Sequence, residues 1–159
     1  AGVSRTAPYH HFQDKQELLC AIAEEGFRRF AGVLAIAGDT LSAARIRRFV
    51  RDYLEFALTH SEYYDLMFGG HLWKSAHVTE ALRSEAHGSF RFYVDQVRRW
   101  QEGGLIADDV DILRYAQVSW GTLHGLSRLL IDGIYLDRET MDAMCDQAAG
   151  MFWHELSPG

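Results

Sequence analysis

Histidine, cysteine and serine are the residue types in this sequence whose chemistry could bind a metal or act as a nucleophile. The chain has eight histidines and two cysteines, Cys20 and Cys145. No two histidines stand four residues apart and no Cys-x-x-Cys pair occurs, so the ligand spacings of zinc sites are missing. Ser119 and His124 share one predicted helix but lack a third group that would orient them as a nucleophile and base. We therefore expect no metal, no cofactor and no enzymatic activity, and we interpret the cysteines as small buried thiols.

Aromatic side chains are concentrated in the middle of the chain, where they would suit a flat or lipophilic small molecule. Aromatic residues at helical spacing can equally form a packed core, and the sequence does not separate the two interpretations. His124 lies one helical turn after Trp120 and could be a polar group of either the core or the pocket. The candidate pocket residues are Tyr53, Phe56, His60, Tyr64, Phe68, Trp73, Phe90, Tyr93, Trp120 and His124.

Two glycines inside a predicted helix, Gly121 and Gly125, lie four residues apart and therefore on one helical face. Each glycine within a soluble helix costs about 1 kcal/mol relative to alanine. A close approach of another helix would offset that cost. The helix that approaches could belong to a second copy of the chain or to the same subunit.

The first residues of the chain have the pattern of half a DNA-reading motif. Gly2 supplies a turn, Val3 could pack between two helices, and Ser4 can cap a short helix that follows. This is the order found in the second half of a helix-turn-helix, whose second helix enters the major groove.

The same segment resembles the turn, recognition helix and following helix start of TetR-family transcriptional regulators. The matching residues, in order and in register, are Gly2-Val3-Ser4, Tyr9, His11-Phe12, Lys15 and Leu18-Leu19. The arrangement of Trp120 and His124-Gly125 resembles a C-terminal domain subclass of that family named for those three residues. In the family two further helices precede this point, so the segment corresponds to a remnant helix-turn-helix and we expect the complete protein to carry the rest.

The resemblance implies roles for the residues of the first segment. Arginine is the best bidentate reader of guanine, and the side chains that would face base edges or nearby phosphates are Arg5, Thr6 and His10. Tyr9 and Lys15 would contact phosphate and fix the register. Ser4 could cap the helix, bind phosphate, or do both, and Lys15 could instead be a solvated surface charge. The implied DNA-binding residues are thus Ser4, Arg5, Thr6, Tyr9, His10 and Lys15.

The resemblance also implies a homodimer, because in the family the last two helices pair with those of a second subunit as a four-helix bundle. Here those helices are predicted over about 110–132 and 138–156. Some of their apolar residues must serve the subunit's own core. The candidate dimer-interface residues are Gly121, Gly125, Leu129, Met144, Ala148 and Phe152.

The elements that must position all these residues are helices, and we predict no strand. Helices are predicted over about 5–11, 15–37, 42–58, 62–68, 75–102, 108–132 and 138–156. Ser42 and the aspartates near 111 mark helix starts, whereas Gly103-Gly104 and Asp132-Gly133 mark helix ends. We predict an all-α fold with two parts: residues 1–37 hold the partial helix-turn-helix and connecting helix, and residues 38–159 form a TetR-type ligand-binding and dimerisation domain.

Composition and charge agree with such a protein. The 159 residues are 48% hydrophobic and 24% charged, which is a globular composition. No apolar run approaches the ~20 residues that cross a bilayer and no signal peptide is present, so we expect a cytoplasmic protein without a membrane role. Residues 1–30 hold four basic and four acidic side chains, so the net charge of −6 comes from the rest of the chain and does not argue against DNA binding.

Together these observations predict a DNA-binding transcriptional regulator, most simply a repressor released from a palindromic operator by a small lipophilic or aromatic effector. The alternative is a helical small-molecule-binding protein without a DNA role. The residues that precede Ala1 in the complete protein would discriminate between the two hypotheses.

Overall fold

The structure is a computed structural model that describes residues 15–35, 41–75, 77–135 and 140–156. This part of the chain is built from helices and contains no strand, which confirms the predicted all-α class. The helices in chain order are α1 (Lys15–Leu34), α2 (Ala43–Thr59), α3 (Ser61–Phe68), α4 (Gly70–Trp73), α5 (Glu80–Glu102), α6 (Ile112–Ile131) and α7 (Met141–Leu156).

The predicted helix starts at Ser42 and Asp111 are confirmed by their capping geometry. Ser42 Oγ accepts a hydrogen bond from the backbone N–H of Arg45 at 3.3 Å, and Asp111 Oδ1 accepts one from the backbone N–H of Arg114 at 3.1 Å. Each side chain satisfies a backbone donor that the helix itself leaves without a partner, which contributes about 1 kcal/mol.

The ends of α5 and α6 share one glycine-dependent geometry. Gly104 and Gly133 adopt φ values of 73° and 71°, in the left-handed region that glycine enters without a steric penalty. After Gly104 the N–H of Leu105 donates to the carbonyl of Trp100 at 2.8 Å, and the equivalent bond after Gly133 measures 3.0 Å. Both predicted ends are therefore confirmed.

The predicted start of the long helix α5 near Ser75 is wrong, because α5 begins at Glu80. Thr79 caps it instead, accepting a hydrogen bond from the Leu82 N–H at 3.2 Å. The Ser75 hydroxyl accepts a hydrogen bond from the side chain of Gln16 at 2.9 Å. The tertiary contact at Ser75 and the better-placed cap at Thr79 together move the helix start.

Two further boundaries differ from the prediction. Helix α1 ends at Leu34 and not near 37, and the short helix α4 (Gly70–Trp73) occupies the place of a predicted break. The start of α7 predicted near 138 lies outside the described residues. The helix predicted over 5–11 lies outside the described residues.

Helix α1 occupies the middle of the packing, in contact with α2, α3 and α5, while α2 packs on its other sides against α6 and α7. The core between them contains the fully buried side chains of Phe30, Leu34, Tyr53, Leu54, Tyr64, Leu123 and Leu156. Within the described residues no helix has the length and apolar character needed to span a membrane.

Candidate functional site

Trp120, half-buried on α6, is the centre of an aromatic cluster. Its ring meets those of Phe30, Tyr53, Phe90 and Tyr93 edge to face, with centroid separations of 5.7, 6.3, 5.5 and 5.8 Å. Such pairs contribute about 0.5–1.5 kcal/mol each beyond their burial. Because the partners come from α1, α2 and α5, Trp120 is held from three sides.

A cleft of about 320 Å³ opens beside this cluster. Five helices, α1 and α3 to α6, contribute to its walls, and exposed His87 is its only titratable residue. The indole N–H of Trp73 donates to the backbone carbonyl of Met67 at 2.6 Å, so that polar group is satisfied within the protein. The lining consists of Phe27, Met67, Phe68, Trp73, Ala86, His87, Phe90 and Trp120. Such a volume and lining suit a small apolar ligand.

The ten candidate pocket residues divide between this cleft and the core. Four of them line the cleft: Phe68, Trp73, Phe90 and Trp120. Tyr53, Phe56, Tyr64 and Tyr93 are buried, and half-buried His60 lies 5.0 Å from Phe56 between ring centroids. His124 is half-buried and does not line the cleft. The cleft also includes Phe27 and Met67, which sequence reasoning did not select as pocket residues. Phe27 lies on the apolar face of its helix, and a pattern of spacing cannot distinguish a cleft wall from core.

A chain of hydrogen bonds connects Tyr53, Tyr64 and His124 beside the cleft. The two tyrosine hydroxyls are 3.3 Å apart, and the Tyr64 hydroxyl is 2.8 Å from His124 Nδ1. Burial raises the pKa of Tyr64 to about 12 and outweighs the opposing effect of the hydrogen bond with Tyr53. Burial likewise raises the pKa of Tyr53. Burial, followed by the positive charge of Arg128, lowers the pKa of His124 below 6.5, so both tyrosines are protonated and the imidazole is neutral at pH 7.

Two buried serines on α6 differ in their hydrogen bonding. Ser119 Oγ lies 2.9 Å from the hydroxyl of Tyr93 and donates to the backbone carbonyl of Tyr115 at 2.7 Å. Burial raises the pKa of Tyr93 to about 12, so that phenol keeps its proton. Ser127 lies near enough to Tyr64 to lower the pKa of that tyrosine. The Ser127 hydroxyl nevertheless forms no hydrogen bond of normal geometry with any described residue. Ser127 is therefore a buried polar group without a direct partner in this part of the structure.

Helix α6 carries a bare face on the side away from the cleft. A methyl group added at Gly121 or Gly125 would meet no described atom within 4 Å outside the backbone of its own helix. The exposed fraction of Val118 is 66%, and that of Met151 on the neighbouring α7 is 58%. Between the two helices runs a groove of about 340 Å³, whose lining includes both of these side chains and Phe152. The described part of the subunit therefore offers no packing that accounts for the two glycines.

The remaining candidate dimer residues lie around this face in different degrees of burial. Leu129 and Met144 are half-buried, while Ala148 and Phe152 are buried in the subunit's own core. Val118 and Met151 were not selected from the sequence, although Val118 precedes Gly121 by three residues and Gly125 by seven. That helical spacing is the signal that could have found it.

Two ion pairs join α2 to α7. Arg47 contacts Asp146 and Arg51 contacts Asp142, all through exposed or half-exposed side chains. The hydrogen bond from Arg47 lowers the pKa of the Asp146 carboxyl from 3.8. Exposed ion pairs of this kind contribute little to stability individually. These two connect α2 to the helix that carries Met151 and Phe152.

The residues considered for metal binding and redox chemistry are dispersed. Cys20 and Cys145 are buried free thiols. Among residues 15–35, 41–75, 77–135 and 140–156, no three His, Cys, Asp or Glu side chains come together in a way that could hold a metal ion.

Of the predicted DNA-binding residues, only Lys15 falls within the described part of the chain. It is exposed and is the first residue of α1. Ser4, Arg5, Thr6, Tyr9 and His10 lie outside the described residues. Helix α1 therefore runs from Lys15, the residue at its start that the resemblance implies in DNA binding, to the cleft, to which it contributes Phe27.

Comparison with known proteins identifies relatives of the helical body. The family model of the tetracycline repressor-like C-terminal domain matches residues 46–152. Among solved structures, a protein of unknown function from Rhodococcus sp. RHA1 is 32% identical with a TM-score of 0.81. That similarity covers 99% of this chain and 80% of the Rhodococcus chain. No curated protein matches the chain.

Proposed function

The chain belongs to the tetracycline repressor (TetR) family of transcriptional regulators, and from that premise we propose that it is a cytoplasmic, homodimeric, DNA-binding repressor released by a small lipophilic or aromatic effector. The observation that carries the proposal is the participation of α1 in the cleft. Phe27 forms part of the cleft wall, and the same helix begins at Lys15 directly after the segment that resembles a recognition helix.

The route from effector to DNA passes through the contact between α1 and α3. Met67 on α3 lines the cleft, and it packs so closely on α1 that a methyl group added at Gly26 would lie 2.7 Å from its sulfur. A ligand that displaces Met67 or Phe27 therefore acts on α1 directly. Such a ligand releases DNA only if it binds the released form more tightly than the DNA-bound form.

Operator binding by two subunits requires that their recognition helices meet successive major grooves. The bare face of α6, with Gly121, Gly125 and Val118, supports pairing with a second copy, because the two glycines would let a partner helix approach closely. The groove beside it adds the apolar side chain of Met151 from α7. We propose this face as the contact between subunits.

The effector part of the proposal is tested by filling the cleft. Ala86 lines the cleft, whereas Ala81 is exposed on the same helix α5. We expect the Ala86→Trp variant to lose the thermal shifts that aromatic and lipophilic compounds produce in the unmodified protein. The Ala81→Trp variant should keep them. Equal shifts in both variants would place the binding site elsewhere.

The DNA part is tested with Lys15→Ala in a protein that contains a complete helix-turn-helix. Loss of one phosphate contact should weaken binding about equally for all DNA sequences and reduce the slope of log K against log salt by about 1. Protein that fails to bind any operator before substitution, while still binding effector, would favour the helical small-molecule-binding protein without a DNA role.

A further inference from the structure

The hydrogen bonds between Tyr53, Tyr64 and His124 can run continuously in two directions, since each bond holds one proton. A third arrangement, in which the Tyr64 oxygen accepts from both neighbours, leaves the Tyr64 proton without an acceptor among the described residues, because nearby Ser127 Oγ forms no hydrogen bond with any of them. In the first direction Tyr53 donates to Tyr64 and Tyr64 donates to His124 Nδ1, which leaves the imidazole proton on Nε2. In the second direction His124 Nδ1–H donates to Tyr64, and Tyr64 donates to Tyr53.

The burial of Tyr53 decides between them. Its side chain is fully buried, and the Tyr64 hydroxyl is the only hydrogen-bond partner that the described residues offer its own hydroxyl. In the second direction the Tyr53 proton would have no acceptor, which costs about 1–3 kcal/mol. In the first direction every proton has an acceptor except the one on His124 Nε2, which lies on the opposite edge of the ring from Tyr64.

His124 is not itself a lining residue of the cleft, but it packs against the cleft walls. Its ring centroid lies 5.1 Å from that of Phe68, and Phe68 and Trp120, one turn earlier on α6, are both cleft walls. No described residue accepts a hydrogen bond from Nε2. Arg128, whose positive charge acts on His124, is engaged by Asp65 and by Asp132, so it does not offer a free positive charge to an anionic ligand.

We propose that the effector is an uncharged, largely apolar molecule with a carbonyl-type oxygen at one end, and that His124 recognises this oxygen by donating the Nε2–H that Tyr53 and Tyr64 fix in place. This inference rests on the proposed effector function of the cleft. It makes His124 the specificity-determining residue of the site, and it makes Tyr53 and Tyr64 positioning residues that act through it.

The first test needs no ligand. Nitrogen-15 NMR correlations of the imidazole ring distinguish the Nε2–H from the Nδ1–H tautomer, and we expect the Nε2–H form for His124 in the full chain at pH 7. In Tyr53→Phe the buried proton is gone and both directions become possible, so we expect the Nδ1–H form to gain population. An Nδ1–H tautomer in the unmodified protein would overturn the inference, whatever the cleft binds.

The second test uses two probes of nearly the same shape, 2-acetylnaphthalene and 2-isopropenylnaphthalene, which differ in a carbonyl oxygen and a methylene group. We expect the ketone to bind roughly tenfold more tightly than the alkene, as the gain of one hydrogen bond implies. His124→Leu should abolish this preference, and Tyr53→Phe should reduce it.

The outcomes separate the two levels of the proposal. Equal binding of ketone and alkene in the unmodified protein would overturn the recognition role of His124 and leave the cleft as an effector site. Tighter binding of 2-naphthoate than of the ketone would overturn the uncharged class of ligand. Failure of all aromatic probes to bind would contradict both the inference and the effector function on which it rests.

Discussion

Alanine at Gly121 and Gly125 tests whether the bare face of α6 meets a second subunit. Among the described residues of one subunit, the two added methyl groups have open space around them. The same is true of Gly88 in the middle of α5, away from the proposed contact, and Gly88→Ala is therefore the matched control. All three substitutions make the same chemical change inside an α-helix.

The substitutions at Gly121 and Gly125 are expected to stabilise the isolated subunit and to weaken the dimer. Alanine is favoured over glycine in a helix interior by about 0.8–1.0 kcal/mol, so each substitution should stabilise an isolated subunit by that amount. Against a closely packed partner helix, the extra methyl groups would overpack the interface by about 1–3 kcal/mol. That range corresponds to a rise of roughly 5- to 150-fold in the dimer Kd.

Sedimentation equilibrium over a range of protein concentrations gives the dimer Kd, and urea unfolding at a concentration well below it gives the stability of the subunit. We expect Gly121→Ala and Gly125→Ala to raise the dimer Kd, and Gly88→Ala to leave it unchanged. If the α6 variants behave like Gly88→Ala in both measurements, this face does not contact a partner and the reasoning from the glycines fails.

Three further predictions concern single contacts. Gly26→Ala should destabilise the subunit by roughly 0–2 kcal/mol in urea unfolding. The added methyl group would overpack against buried Met67 at a cost of about 1–3 kcal/mol, and the higher helix propensity of alanine returns about 1 kcal/mol. A gain in stability would show that α1 and α3 are not in close contact. Ser119→Ala should lower the free energy of unfolding by about 1–3 kcal/mol, because it leaves the buried hydroxyl of Tyr93 without its serine partner. Ser127→Ala should be neutral or stabilising in the same assay. Equal losses in the two variants would contradict the difference in their hydrogen bonding. The Arg47 hydrogen bond depresses the pKa of Asp146 below 3.8. The contribution of this ion pair to folding stability is therefore present above pH 3.8 and is lost as the pH falls through the lowered pKa. The loss of stability caused by Arg47→Ala should shrink in acid, and a loss that grows in acid would reverse the assigned sign.

Helix boundaries were predictable from sequence where the determining contacts are local. Ser42 and Asp111 cap helices through bonds to residues three positions further on, and the glycines after α5 and α6 act within their own turn. The start of α5 was not predictable in this way. Ser75 has the residue type of a cap, but its hydroxyl is bonded to Gln16, 59 residues away in the chain, and no local pattern contains that contact.

The candidate pocket could be predicted as a region but not as a set of side chains. Tyr53 and Trp73 are both aromatic and both follow helical patterns, yet the first is fully buried and the second lines the cleft. Which of them meets open space depends on how five helices diverge around the cleft, and that divergence is a property of their packing. The sequence left pocket and packed core as alternative interpretations of these aromatic residues, and only the packing identifies the walls of the cleft.

Helix α6 belongs to the cleft and to the proposed subunit contact at once, and this creates a second route from effector to DNA. Trp120 lines the cleft, and its chain neighbour Gly121 lies on the bare face. A ligand that moves Trp120 must move α6, and a moved α6 changes how two subunits meet. The proposed α1 route would instead act within one subunit, through the helix that joins the cleft to Lys15. Effector binding that leaves the dimer Kd unchanged would assign the response to α1. Effector binding that changes the dimer Kd would assign it to α6, because linkage requires dimerisation to change the effector affinity by the same factor.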